Sequence, residues 1–321
     1  MSVEEIREGL ERHQIGIYLA AIVLGALLAF GMGDTTWLES LINPALGVML
    51  FVTFLQVPLS RLRQSLTNVR FMAALLVTNF VAVPVLVFGL SLFFPKEPLI
   101  QVAILFVLLC PCIDYVVTFS QVGKADSSLL LASTPVLLVA QMALLPIYLM
   151  LMLGDSATGL VQPGPFVHAF VVLILIPLLL SALGQFCESR SSFAQRAVNL
   201  AGALPVPATA LVLFVVIAAV TPQLSEALPA AERALPIYVA FAVVAPLLGM
   251  LVGRVSRLRS QEIRALSFSA GTRNSLVVLP LALAIPGAVP IIPAVIVTQT
   301  LVELTSSIIY MRVIPKIGSA Q

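Results

Sequence analysis

A chain of 321 residues that is 60% apolar and 10% charged, with a mean hydropathy of +1.09, has too little polar surface for a water-soluble globular fold. There the two fractions lie near about half and a quarter. The net charge of +2 reflects the placing of basic residues in the loops on one side of a membrane, not nucleic-acid binding. The composition is that of an all-α polytopic membrane protein.

Ten stretches reach the length of about 20 mainly apolar residues that a helix needs to cross the hydrocarbon core. In chain order they are 15–32, 38–59, 71–94, 99–122, 127–153, 166–187, 197–220, 235–255, 263–285 and 289–314. Basic residues concentrate in cytoplasmic loops, and here they fall almost wholly on one side. Arg7, Arg12, Arg61, Arg63, Arg70, Lys124, Arg190, Arg196, Arg254, Arg257, Arg259, Arg264, Arg312 and Lys316 lie in the termini and the even-numbered connections, against Lys96 and Arg233 opposite. This places both termini in the cytoplasm of a multi-pass protein. The first residues are polar, with Glu4, Glu5, Glu8 and Glu11 ahead of a full-length span, so no cleavable signal is expected. Cys110, Cys112 and Cys187 offer no disulfide framework.

The chain divides into a tail at 1–14, a first set of five spans at 15–153, an external connection at 154–165, a second set of five at 166–314 and a tail at 315–321. In each set the fourth span carries both a helix-breaking sequence and an ionisable residue. Two inverted five-helix repeats with broken crossover helices, the fourth and the ninth, would produce that correspondence. Ordinary kinks are the alternative.

The fourth span reads Leu108-Leu-Cys-Pro-Cys-Ile-Asp-Tyr-Val-Val-Thr-Phe-Ser-Gln121. Pro111 removes a backbone donor and frees carbonyls one turn earlier. Cys110, Cys112, Asp114, Tyr115 and Thr118 stand close to that opening as candidate cavity residues. The two thiols are either soft ligands for a metal or metalloid centre or small packing residues. In the fifth span Ser133, Thr134 and Gln141 add polarity.

The ninth span holds Ser267-Phe-Ser-Ala-Gly-Thr-Arg-Asn-Ser275. A charge at bilayer depth costs about 2.5–3.5 kcal/mol on the mildest scale, so Arg273 marks a substrate or ion path or a structural ion pair. It can bind an anionic substrate, neutralise Asp114 or Glu303, or replace a cation. Ser269, Gly271, Thr272, Asn274 and Ser275 line the same region. In the tenth span Thr300, Glu303 and Ser307 fall on one helical face, with Glu303 a candidate proton carrier. Glu39 and the two histidines, His13 and His168, lie near span ends with no metal-ligand spacing. No cofactor, resident metal or catalytic residue is expected, and the absence of a Walker-type loop argues against ATP-driven transport by this chain.

Two motifs carry a family resemblance. Pro111-Cys-Ile-Asp-Tyr-Val-Val-Thr-Phe-Ser120, followed by Gly123-Lys-Ala-Asp126, is similar to the Pro-Cys-Thr-Ala-Met-Val-x-Val-Trp-Ser and downstream Gly-Asp or Gly-Asn of arsenite permeases. Leu301-Val-Glu-Leu304 is similar to their Leu-Val-Glu-Val. The chain thus resembles the arsenite permease branch of the bile-acid/arsenite/riboflavin transporter superfamily. The resemblance implies ten spans in two inverted halves with a core and a panel bundle, a metalloid at Cys112 and an essential acid at Glu303. Gly271-Thr-Arg-Asn-Ser275 departs from that branch and is closer to the Gly-Met-Gln-Asn-Ser of sodium/bile-acid symporters. Yet Ser269, Arg273 and Asp114-Tyr115 stand where the symporters' sodium ligands would be.

The expected function is therefore arsenite or antimonite efflux coupled to protons, with Cys112, Asp114, Arg273, Asn274 and Ser275 at the substrate and Glu303 or Asp114 carrying the proton. The alternative is sodium- or proton-coupled uptake of a small organic anion. The setting is a plasma membrane, with the lipid bilayer, a small-molecule substrate and a coupling ion as partners.

Overall fold

The structure is a computed structural model and describes residues 3–56, 68–113, 115–153, 163–188, 190 and 192–317. Its helices are α1 (Val3–Met32), α2 (Glu39–Gln56), α3 (Val69–Val77), α4 (Val83–Ser91), α5 (Pro98–Leu108), α6 (Tyr115–Val122), α7 (Ser127–Leu153), α8 (Pro163–Phe170), α9 (Ile176–Glu188), α10 (Ser192–Ala201), α11 (Pro205–Val220), α12 (Leu224–Val255), α13 (Ser260–Gly271), α14 (Ser275–Leu283) and α15 (Ile291–Ile317). A π turn at Thr78–Ala82 joins α3 to α4, and another at Val171–Leu175 joins α8 to α9.

Among the described residues seven helices are long and apolar enough to cross a membrane. They coincide with the first, second, third, fifth, seventh, eighth and tenth expected spans. Large apolar side chains such as Leu27, Phe30, Val85, Phe88 and Leu151 stand exposed along them, as lipid-facing surfaces require. The fourth and ninth spans are each two shorter helices, α5 with α6 and α13 with α14.

Several ends differ from the sequence expectation. Helix α1 starts at Val3 instead of 15, because its polar first turns contain no proline and Arg7 pairs with Glu11 one turn on, at 2.8 Å. Helix α12 likewise starts at Leu224 instead of 235. The stretch expected as one span from 197 is divided by Gly202-Ala-Leu204 ahead of Pro205, so α11 begins at that proline, where a missing N–H costs nothing.

The chain forms two compact units, each drawn from both halves of the sequence. The first comprises residues 1–57, 162–228 and 279–294. Within it α11 packs on α1 and α2. A Cβ added at Gly25 would lie 2.6 Å from the Phe214 carbonyl oxygen, so the α1–α11 crossing needs glycine there. Thr35 Oγ1 donates to Ala218 O at 2.6 Å and Gln223 Nε2 to Glu39 Oε1 at 2.7 Å.

The second unit comprises residues 58–161, 229–278 and 295–321. Here α13 runs among α3, α6 and α7. Its approach to α12 depends on Gly249 and Gly253: a Cβ at Gly249 would lie 2.7 Å from Leu266 O, and one at Gly253 would lie 3.1 Å from Ile263 Cγ1. Three prolines inside this unit free the carbonyl four residues earlier, and a hydroxyl takes up each. Tyr148 donates to Phe80 O at 2.5 Å, below Pro84; Thr134 to Leu131 O at 2.8 Å, below Pro135; and Tyr310 to Ala242 O, below Pro246. At the start of α13 Glu262 accepts from the Arg259 backbone at 2.9 Å, Arg259 Nη2 at 2.8 Å and Asn68 Nδ2 at 2.9 Å. Burial pushes the Glu262 carboxyl up, but these hydrogen bonds and the Arg259 charge outweigh it and hold the group below its ordinary value.

Candidate functional site

The chemistry gathers in the second unit, where the two broken helices meet. Pro111 and Arg273 form an antiparallel bridge. Cys112 N donates to Thr272 O at 3.2 Å, and Asn274 N donates to Cys110 O at 2.8 Å. Each of these donors would, in a continuous helix, have served the carbonyl four residues back. Cys112 thereby abandons Leu108 O, and Asn274 abandons Ala270 O. The Arg273 backbone N–H abandons Ser269 O as well, donating instead to Glu303 Oε2 at 2.7 Å.

The three carbonyls so released face one side chain. Arg273 is fully buried, and its Nη2 donates to Ser269 O at 2.6 Å and Ala270 O at 2.8 Å while Nη1 reaches Leu108 O at 3.4 Å. A fourth oxygen, Asn79 Oδ1, lies 2.9 Å from Nη2. Asn79 sits in the first π turn, and its amide is oriented by donation to Ser269 Oγ at 2.9 Å and Leu75 O at 3.1 Å. The Phe241 ring covers the guanidinium, with Cζ 5.4 Å from its centroid, a further stabilising contact for a cation. Among the described residues the guanidinium has no ion pair with an acid; neutral oxygens hold it.

The other expected residues surround this centre. Cys110 and Cys112 are both fully buried within the bridge. Asp114 lies outside the described residues, so its expected proximity to Arg273 stays an expectation. The Tyr115 hydroxyl donates to Arg273 O at 3.3 Å and lies close to the Glu303 carboxylate. Thr118 is half-buried on α6. A Cβ at Gly271 would meet Pro246 Cγ at 2.8 Å and Tyr310 Cε2 at 2.9 Å. Thr272 Oγ1 turns back to Phe268 O at 2.8 Å, and Ser275 Oγ pairs with Thr300 Oγ1 at 2.9 Å. On α15 the expected polar stripe of Thr300, Glu303 and Ser307 is buried. In α7 Ser133 and Thr134 bond carbonyls of their own helix, at 2.7 and 2.8 Å.

Two site residues escaped the sequence reading. Asn79 is a polar residue in an apolar span five positions before Pro84, a signal that was present but has no charge to announce it. Gln299 precedes Glu303 by one turn; its Nε2 donates to Glu303 Oε2 while its own Oε1 is left without a hydrogen-bond partner. Among the described residues Glu303 Oε1, Asn274 Nδ2 and Arg273 Nε are likewise buried without one. Unsatisfied polar atoms are costly in so apolar a setting. Four such atoms, on Arg273, Asn274, Gln299 and Glu303, lie in this centre.

A model described as the sodium bile acid symporter family matches residues 43–227, more than half of the chain. The chain belongs to the sodium bile acid symporter family. It is therefore a multi-pass membrane transporter, working in a lipid bilayer on a small-molecule substrate with a coupling ion, and not an enzyme. The match includes Asn79 and the first helix break; Arg273 and Glu303 lie beyond it. Among curated proteins, none matches the chain.

Proposed function

We propose that this transporter expels arsenite or antimonite in exchange for protons by alternating access. Glu303 carries the reading: a carboxyl 2% exposed, beside the paired breaks and the Tyr115 hydroxyl, with Oε2 bound to the Arg273 backbone and Gln299 and Oε1 without a hydrogen-bond partner among the described residues. Ionisable groups at such depth act in proton relays, and the open oxygen is where a proton is taken up and released. Asp114 is the second candidate for that role.

The substrate reading rests on Cys112. A thiol and arsenous acid condense without redox change: the sulfur bonds to arsenic, one hydroxyl leaves with the thiol proton as water, and release reverses the step. Asn274, Ser275, Asp114 and Arg273 complete the substrate region, lined by Cys110, Pro111, Tyr115, Thr118, Ser269, Gly271, Thr272 and Thr300. The bias of basic residues supports a plasma membrane setting with cytoplasmic termini, the bacterial inner membrane foremost. The matching breaks in the fourth span of each half support two inverted five-helix repeats.

The test is flux into proteoliposomes under imposed pH gradients. Arsenite flux should follow the proton gradient in the wild type and lose that dependence, or stop, in Glu303→Gln. An unchanged pH response in that variant removes the proton role of Glu303. A second reading, uptake of a small organic anion, is favoured by the family match and by Arg273 Nε and Asn274 Nδ2, buried donors that a carboxylate would accept. Organic-anion flux with no arsenite flux would establish it instead.

A further inference from the structure

We infer that the Arg273 guanidinium is a tethered cation that permanently fills an oxygen cage built from the two broken helices, so that this transporter binds no dissociable monovalent cation there. The inference rests on the transporter reading above and specifies one part of it, the ion that does not participate.

Among the described residues the cage has three carbonyl oxygens and one amide oxygen. Leu108 O comes from the end of α5, Ser269 O and Ala270 O from the end of α13, and Asn79 Oδ1 from the π turn. Helix C-terminal ends and unwound carbonyls at the middle of a membrane are where transporters hold small cations. An arginine that merely capped α13 would account for Ser269 and Ala270 alone. Leu108 and Asn79 come from other elements, and Asn79 is held by two hydrogen bonds of its own with its oxygen turned towards the guanidinium. Four oxygens with no carboxylate among them suit a single positive charge. The side chain supplies that charge covalently, is fully buried, and lies against Phe241. A sodium ion entering the cage would have to displace it.

The test measures binding, which separates this inference from the flux assay above. Purified wild-type protein should show the same melting temperature in sodium, lithium and choline chloride at equal ionic strength. Arg273→Ala empties the cage while keeping its oxygens, and it should gain a saturable stabilisation of several degrees from sodium or from low-millimolar guanidinium, but none from choline. Cation linkage of this form follows from preferential binding to the folded state. Saturable stabilisation of the wild type by sodium overturns the inference, as does a folded Arg273→Ala that answers to neither cation. Should that variant fail to fold, radioactive sodium binding to wild-type protein decides: none above empty liposomes supports the tethered cation, and saturable binding refutes it. A wild type that shows no proton-driven flux and binds no sodium would defeat only the reading of Glu303.

Discussion

Replacing Gly249 by alanine tests whether the α12–α13 contact sets the position of the site. The new Cβ would stand 2.7 Å from Leu266 O, 2.9 Å from Ser267 Cα and 2.9 Å from Ala270 Cβ. A carbon–oxygen contact is comfortable only from about 3.3 Å, so the helices must part by roughly 0.6 Å. Two of the three obstructing atoms are backbone, and no flexible side chain can yield. Overpacking of this kind costs about 1–3 kcal/mol. The displaced helix is the one whose Ser269 and Ala270 carbonyls hold Arg273, so transport should fall with stability. At Gly253 the nearest atom is a side-chain carbon at 3.1 Å, and Gly89 has nothing within 4 Å. Gly253→Ala should therefore cost less than Gly249→Ala, and Gly89→Ala should be neutral or gain up to about 1 kcal/mol. Unfolding of the three variants in detergent, measured beside reconstituted flux, gives the ranking. If Gly249→Ala is as mild as Gly89→Ala, the close approach does not position α13 and the reasoning fails.

Four further outcomes can be checked. Cys112→Ser should abolish arsenite flux while Cys110→Ser retains most of it, and equal flux in both would remove the thiol ligand. Asn79→Ala deletes one acceptor to the guanidinium and should lower stability by about 1–2 kcal/mol, the scale of a hydrogen bond to a buried charge tempered by membrane measurements; no loss in a denaturation series would mean that Asn79 does not hold Arg273. Asp114→Asn combined with Arg273→Gln should be less destabilising than the worse single variant if the two residues pair, since a lone buried charge is the costly state, and strictly additive losses in a double-mutant cycle would count against the pair. The lowered Glu262 carboxyl stabilises the fold fully above its ordinary value of 4.5 and ceases to do so as pH falls through its lower folded value; because Arg259 is largely exposed the effect should stay under about 1 kcal/mol, and Glu262→Gln should flatten stability against pH in that acid range.

The membrane class, most of the spans and the two interruptions were legible in the chain because they depend on local chemistry. Apolar runs of bilayer length, Pro111 without its N–H and Gly271 ahead of a buried charge each act within a few residues. Cys112, Arg273 and Glu303 stood out for the same reason, being reactive or charged groups inside apolar sequence. Local pattern could not say which carbonyls the breaks would release, or that one side chain would collect them. That depends on Cys112 and Asn274 trading helical partners for each other's segments, a pairing across more than 150 residues of chain. Nor does anything near Arg273 announce that Asn79, 194 positions away, supplies the fourth oxygen. A long-range hydrogen bond leaves no periodicity in either segment, so the packing of α3, α5, α13 and α15 decided the cage, while the residue types decided only that something there had to be paired.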